Sequence, residues 1–364
     1  MKAPALVDLD AIAWHIRRQR PLEKADLRAI DLRGASLAGA VLRECELGGM
    51  DLSRTALART TFIDCRLAGA RFAGATLAHT QFIRCMLDGA GMEAAALSQA
   101  ALVDCSLRAA RAQGAQLSHV ALSGCDLHGA ALPGARLDSA VLWRCALGQA
   151  SLAGATLAQT ALSDTDLRAT AVEGLRAQRS ALMNNDWRGL ALGSLRFELC
   201  QLQAGRFAGS DLSGAVLAGC NLMQTHFAGT CLRAAQAPNA LLLSARLEGC
   251  DARGADFSGA LFYNARLRDC RFEGARLAGG SWEKSEVAGL RAAGADFSDV
   301  RFAHARLNDS DLSGARLERS VFHGATLDKV RLRGAARRGQ QGTDAALLAL
   351  EQANLALEDL PCIP

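Results

Sequence analysis

The chain has very little of what catalytic, membrane-spanning and secreted proteins are built from. Its 364 residues include one Tyr, six Pro and only 5% aromatics, too few rings for the stacking platforms that grip single-stranded nucleic acid. No apolar run approaches the roughly 18 residues that cross a bilayer, and Met1–Arg20 lacks the basic-then-apolar layout of a secretory leader. Charge of one sign is also missing: 41 Lys and Arg against 37 Asp and Glu leave a net +4, so neither a polycation nor a polyanion is offered overall. There is no CxxC pair and no glycine-rich phosphate loop. The seven His are scattered, and none stands beside a Ser or Cys in a nucleophile motif. His304 and His323 come nearest to a metal pair, and a surface polar role accounts for them more simply. The expectation is therefore no catalytic residue, no cofactor, no metal and no membrane, with a cytoplasmic location.

What is present is a period of five. From residue 22 to 332 every fifth position carries a large apolar side chain in 58 of 63 cases, the exceptions being Ala112, Ala177, Ala237, Ala252 and Ala292. All twelve Phe fall in this register, and 27 of the 35 Gly stand two residues after such a centre. A fixed short period overrides the two-domain prior that the length suggests and predicts one elongated solenoid. In each pentapeptide the centre and the residue two before it point inward, while the residues flanking the centre point outward. Gly after the centre suits the tight corner.

Ala25-Asp26-Leu27, Ala255-Asp256-Phe257, Ala295-Asp296-Phe297 and Ser310-Asp311-Leu312 resemble the A-[D/N]-L-x-x consensus of the pentapeptide-repeat family, and the resemblance covers about residues 20–335. It implies an all-β solenoid, the right-handed quadrilateral parallel β-helix, with four pentapeptides to a coil. At one strand spacing per coil, nearly 16 coils would make a rod of ~75 Å. The resemblance implies no single activity, because the family's members differ widely in what they do.

Three regions follow. Residues 1–19 hold a capping helix, with Leu6, Leu9, Ile12, Ala13 and Ile16 at helical spacing and Asp8 as N-cap. Residues 20–335 are the repeats, less regular around 171–200, where Leu175, Leu190 and Leu195 occupy small-residue positions and a local change of coil shape or a bend is expected. Residues 336–364 read as a connector, Arg337–Gly342, and a helix capped by Thr343, with Leu347, Leu350, Ala353 and Leu357 on one side and Pro361 beyond it. That helix would close the end of the solenoid or pair with another subunit. Ten of the twelve Cys fall at inward corner positions. Cys45, Cys65, Cys85, Cys105, Cys125 and Cys145 are spaced by twenty, which predicts a ladder of small buried thiols in a reducing compartment.

One surface feature stands out. Sorted by a period of twenty, the outward residue after the centre is small, polar or charged on three faces. On the fourth it reads Ile63, Ile83, Val103, Ser123, Trp143, Ser163, Met183, Gln203, Met223, Leu243, Tyr263, a stripe of ~48 Å at one strand spacing per coil. Asp64, Arg84, Asp104, Arg144, Asp164 and Asn184 run beside it. An exposed apolar patch of this kind marks an interaction surface. The competing reading, cover by the chain's own C-terminal helix, falls short because 16 helical residues span only ~24 Å. A weaker feature is the basic strip Arg206, Arg246, Arg266 and Arg306, with Asp269 and Asp309 placed to neutralise part of it.

These features predict a non-enzymatic scaffold or adaptor that binds another protein through Ile63, Ile83, Val103, Trp143, Met183, Met223, Leu243 and Tyr263, or forms a homodimer through the stripe or the C-terminal helix. The family resemblance adds an accessory role in bacterial type VI secretion. The alternative it implies is a DNA mimic that binds and protects DNA gyrase or topoisomerase, as in the quinolone-resistance branch. Such mimicry needs a strongly acidic surface, which this slightly basic chain lacks. Direct nucleic-acid binding is disfavoured by the scarcity of rings.

Overall fold

Apolar centres five residues apart match neither the 3.6 period of a helix nor the 2.0 period of a flat strand. They all face one interior only if the chain turns a corner after each of them. The computed structural model of the chain describes residues 8–358 and shows this solution, a parallel-strand β-solenoid. Residue i bridges residue i+20 throughout each of its two compact units, so four pentapeptides make one coil. Every centre from Leu22 to Phe322 is buried. At the corners outside the strands the carbonyl of the centre accepts the N–H three residues on, as from Ile30 to Leu27 at 2.9 Å and from Ala40 to Leu37 at 2.9 Å. At corners after a strand that N–H can turn to a side chain of the next coil, as Thr160 does to the Ser180 hydroxyl at 3.1 Å. The residue two after the centre takes a positive φ, +67° at Gly34 but also +59° at Arg54. L-residues pay about 1–2 kcal/mol for that conformation, which is why Gly recurs there.

The first unit runs up to Arg188 and includes Ser194–Gln201. It opens with α1 (Leu9–Arg17), whose N-cap Asp8 accepts the Ala11 N–H at 2.8 Å; Leu6 lies outside the described residues. Eight strands then form one parallel sheet. They are β1 (Leu22–Glu23), β2 (Val41–Arg43), β3 (Thr61–Ile63), β4 (Gln81–Ile83), β5 (Ala101–Val103), β6 (Ala121–Ser123), β7 (Val141–Trp143) and, past β8 (Thr156–Ala158), β9 (Ala161–Ser163). A second sheet pairs β8 with β10 (Arg176–Gln178) and β10 with β11 (Arg196–Glu198). Pairing thus moves to a different side of the coil where the sequence turns irregular. There Leu175 and Leu195 are buried at corners that elsewhere hold small residues. Asn185 fills another: its amide donates to the Leu162 and Leu182 carbonyls at 2.8 and 3.1 Å and accepts from the Thr165 N–H at 3.0 Å. A buried polar side chain satisfied in this way costs little.

The second unit comprises Gly189–Gly193 and Leu202 onward. Its sheet is β12 (His226–Ala228), β13 (Arg246–Glu248), β14 (Arg266–Arg268), β15 (Glu286–Ala288), β16 (Arg306–Asn308) and β17 (Thr326–Asp328), paired in chain order. Its core is richly aromatic. The Trp282 ring lies 4.6 Å from Phe262, 5.7 Å from Phe297 and 6.0 Å from Phe302. The bridging extends beyond Arg333, to Arg316↔Ala336 and Val321↔Gln341. Most of the stretch that reads as a connector is therefore a further coil, because ladder hydrogen bonds do not require apolar centres. α2 (Ala345–Glu358) follows. Its first turn is capped by Asp344, which accepts the Ala346 and Leu347 N–H groups at 3.0 and 3.1 Å. Thr343, the expected cap, instead accepts the Gly324 N–H at 3.2 Å. Leu347 and Leu350 are exposed, so these two do not pack on the coils; Pro361 lies outside the described residues.

Two predictions follow from this packing. The short centre Ala112 lines an apolar void of about 30 Å³ with Met92, Leu107, Leu117 and Leu132. Ala112→Val is expected to fill it and stabilise the protein by on the order of 0.5–1 kcal/mol, read as a higher urea midpoint; a lower midpoint would mean the walls cannot give. The second concerns acid. Hydrogen bonds from Arg28 and Arg33 hold Asp26 and Asp31 down to about 2, and Ser53 followed by Arg71 does the same for Asp51. A carboxylate lowered by folding contributes stability above its unfolded value of about 3.8, and loses it as pH falls through the folded one. Thermal midpoints should therefore be insensitive to these groups from pH 7 to 5 and decline between about pH 4 and 2. A steep decline already at pH 5 would remove them from the acid transition.

Candidate interaction surface

A strand in a solenoid buries its middle residue and turns its first and third outward. In the sheet of the first unit, the third positions of β3, β4, β5 and β7 are Ile63, Ile83, Val103 and Trp143. Ser123 and Ser163 complete the row on β6 and β9. The first positions of these strands are Thr61, Gln81, Ala101, Ala121, Val141 and Ala161, so none of the outward residues on β3–β7 and β9 carries a charge. Trp143 is 49% exposed, Val141 46% and Val103 36%, while Ile63 and Ile83 are half-buried by their neighbours on adjacent strands. Val141 escaped the sequence reading, which sampled only the position after each centre. The alternation of strand side chains would have found it.

The charged residues beside the row are engaged with one another and with its ring. Arg84 donates to Asp64 through both Nε and Nη2, at 2.8 and 2.7 Å. Asn184 donates to Asp164 at 2.9 Å. The Arg144 guanidinium sits 4.4 Å from the centroid of the Trp143 ring, a cation–π contact that holds the largest exposed side chain of this face in place. Met183 continues the row in sequence but lies in a turn segment beyond β9, half-buried.

The remaining stripe residues belong to the second unit. There Gln203, Met223, Leu243 and Tyr263 occupy turn segments and are half-buried, while the strands carry a different set. The Lys284 ammonium lies 5.5 Å from the Tyr263 ring. On this unit's sheet the first positions of β12–β16 are His226, Arg246, Arg266, Glu286 and Arg306, and Arg268 stands at the third position of β14. The basic strip is thus a strand face, with Arg206 bridged to His226 at its start. The expected neutralisation by Asp269 and Asp309 is not what occurs. Arg266 pairs with Glu286 at 3.1 Å, one rung along the ladder, and Asp309 pairs with Lys329 at 3.9 Å. The reason is geometric: strand neighbours twenty residues apart are one coil apart and directly opposed, whereas Asp269 and Asp309 stand at corners.

The inward cysteines form the expected ladder of buried thiols, donating to backbone carbonyls as Cys45 does to Leu22 at 3.3 Å. The Cys105 thiol, followed by burial, pushes Cys85 up to about 12, which keeps it protonated and inert at neutral pH. Cys231 differs. It faces outward, half-exposed; burial would raise it, but the Ser213 hydroxyl at 3.0 Å and the Arg233 guanidinium at 3.2 Å hold it below the ordinary thiol range. One expectation about the histidines needs correction. His323 is buried rather than a surface residue, because α2 brings Glu351 against it and against His304.

A solenoid of five-residue corners with a coil repeat of twenty defines a class, and the comparisons place the chain in it. Five segments, 22–57, 130–168, 200–236, 240–279 and 295–334, match the family described as Pentapeptide repeats (8 copies), and residues 55–132 match Pentapeptide repeat region. With more than half of its residues matched, the chain belongs to the pentapeptide-repeat family. Among solved structures it is similar to QnrB1, a plasmid-mediated fluoroquinolone resistance protein, at 20% identity, over 45% of this chain and 81% of that one, with a TM-score of 0.26. HetL, involved in heterocyst differentiation regulation in Nostoc sp. strain PCC 7120, is 20% identical over 91% of this chain and 94% of its own, with a TM-score of 0.18. Rfr23 of Cyanothece 51142 is 15% identical over 41% and 91%, with a TM-score of 0.22. No curated protein matches the chain.

Thiol chemistry offers a direct check on the inward and outward assignments. Brief iodoacetamide treatment of the folded protein is expected to modify Cys231 well before the ten buried cysteines, as read by peptide mass spectrometry. Equal labelling of Cys85 and Cys231 would show that the ladder opens on the labelling timescale.

Proposed function

We propose that this protein is a non-enzymatic interaction scaffold whose working surface is the strand face of β3–β7 and β9 in the first unit. The observation that carries the reading is the absence of charge at every outward position of those strands, combined with exposed Val103, Val141 and Trp143. Solenoid strands ordinarily turn polar side chains to water, and uncharged strand faces with an aromatic anchor are what protein partners bury. The partner is another protein that presents an apolar surface. A second copy of the chain is the alternative occupant, and Met183, Met223, Leu243 and Tyr263 are secondary contacts.

Support for a cytoplasmic setting comes from the free inward thiols, which suit a reducing compartment. Among the described residues no helix is long and apolar enough to cross a membrane. The accessory role in type VI secretion rests on the family resemblance. The DNA-mimic reading needs an acidic face, and the strand faces offer none. That of β3–β7 and β9 is uncharged, β10 and β11 set Arg176 and Arg196 against Glu198, and β12–β16 set Arg246, Arg266, Arg268 and Arg306 against Glu248 and Glu286.

The test uses Val103→Asp, Trp143→Asp in the full chain. Both side chains point outward, so circular dichroism and melting should match the wild type. Capture from the host extract, quantified by mass spectrometry, should lose its specific partner at least about tenfold, as expected for the loss of an aromatic anchor. Sedimentation of both proteins alone separates self-association from a foreign partner. Unchanged capture together with unchanged sedimentation would overturn the assignment.

A further inference from the structure

We propose that His304, His323 and Glu351 form a binding site for a divalent cation of the zinc class, which fastens α2 to the coils of the second unit. The three residues come from two successive coils and the C-terminal helix. Their donor atoms all lie within 4.8 Å of one another. The His304 Nε2 and His323 Nε2 atoms each stand 3.1 Å from the same carboxylate oxygen, Oε2 of Glu351. Two imidazoles and a carboxylate are a donor set that zinc and its neighbours accept. Metal–ligand bonds of about 2.0–2.2 Å in a tetrahedron put neighbouring donors about 3.3–3.6 Å apart. Two of the three edges therefore need to open by only a few tenths of an ångström.

The surroundings fit the same use. His323 is almost buried, whereas the side chains of His304 and Glu351 are each 36% exposed. One flank is thus dry and the other open, which leaves an entry path and a fourth position for water. His304 can lie where it does because residue 324 has no side chain: a Cβ there would meet His304 Nδ1 at 2.5 Å and Cε1 at 2.8 Å.

Among its described side chains the helix also has little else to hold it. From Ala345 to Gln352 no side chain is buried; Leu348 and Glu351 are half-buried, and Leu347 and Leu350 face water. Helices this short are marginal without packing, so the anchor at Glu351 matters disproportionately. In the metal-free arrangement two imidazole N–H groups compete for one carboxylate oxygen. A cation at the centre would replace both hydrogen bonds with coordination.

Loading has a structural signature. His323 Nδ1 accepts the Asp344 N–H at 3.2 Å, so the ring carries its proton on Nε2. Coordination through Nε2 moves the remaining proton to Nδ1 and releases the Asp344 amide, which is the N-cap of α2. Metal binding is therefore reported at the first turn of that helix as well as at the ligands.

The experiment is a Co2+ titration of the purified full chain, followed by visible ligand-field absorbance, with Zn2+ as competitor. One equivalent is expected to bind, without the thiolate charge-transfer band that would place the metal on a cysteine. Glu351→Gln keeps an oxygen acceptor for both imidazoles but removes the charge, and His304→Ala removes a partly exposed ligand. Each should weaken binding by about tenfold or more while leaving the circular dichroism spectrum unchanged. Hydrogen exchange over residues 345–352 should slow with Zn2+ in the wild type and not in either variant, while the Asp344 amide, freed from His323, exchanges faster. The proposal is overturned by absent absorbance at millimolar Co2+, by a thiolate band, or by Glu351→Gln binding as tightly as the wild type.

Discussion

Each coil closes because the chain accepts a left-handed backbone two residues after nearly every centre, and at the corners outside the strands the following residue returns its N–H to the carbonyl of that centre. With corners at a spacing of five, the coil repeat is twenty and every side chain acquires a fixed neighbour one coil away. This single constraint organises the rest. It sets Leu and Phe centres into continuous columns, so that Phe62 and Phe82 stack with ring centroids 4.9 Å apart. It places Cys45 under Cys65 with the Cys45 N–H directed at the Cys65 sulfur, 3.4 Å away. It also makes ion pairing a matter of rungs, as Arg84 finding Asp64 and Arg319 finding Asp299 both show. A charge in such a fold pairs with the residue twenty positions away, with one eighteen away as Arg111 does with Glu93, or with its own neighbour two along as Arg28 does with Asp26.

The register of centres was legible from Leu22 through Phe322 because it follows from side-chain size alone, and all of these are buried as the period requires. The last two centres depart from it, Leu327 being exposed and Leu332 half-buried. What the period does not state is which side of each coil carries strand pairing, since all four sides share the same five-residue pattern. A signal was nevertheless present. Cys45, Cys65, Cys85, Cys105, Cys125, Cys145, Cys200, Cys250 and Cys270 each stand two residues after a strand. A thiol at that corner reaches back to a carbonyl of the preceding coil, as Cys65 does to Leu42 at 3.5 Å and Cys270 to Leu247 at 3.3 Å. The cysteines could therefore have been read as markers of the strand-bearing side and not only as small core residues.

That distinction bears on the candidate surface. Treated as one row by sequence position, Ile63 through Tyr263 look equivalent. In the structure the first part of the row lies on paired strands, where alternate residues stand clear of the backbone, and the second part lies in turns. The strands of the second unit present arginines instead. A flat strand face displays both of its outward positions, which is how Val141 joins Trp143. The apolar character of the first unit's sheet is thus a property of two rows together, and the uncharged first positions, Ala101, Ala121 and Ala161 among them, contribute as much as the large residues do.

The histidine–carboxylate cluster was illegible for a different reason. The repeat locates His304 and His323 almost one coil apart, but no periodicity locates Glu351, which stands on a helix outside the register. Its position depends on where α2 turns back, and that depends on Asp344 capping the helix and on Thr343 accepting from Gly324. These are local hydrogen-bonding choices between adjacent polar residues, either of which makes a credible cap. A one-residue shift of the helix start would rotate its faces by about 100° and carry the glutamate away from both imidazoles. The cluster therefore exists only because the solenoid's long-range register and the helix's local cap agree, and a site that requires two such independent agreements is the kind a repeat sequence conceals.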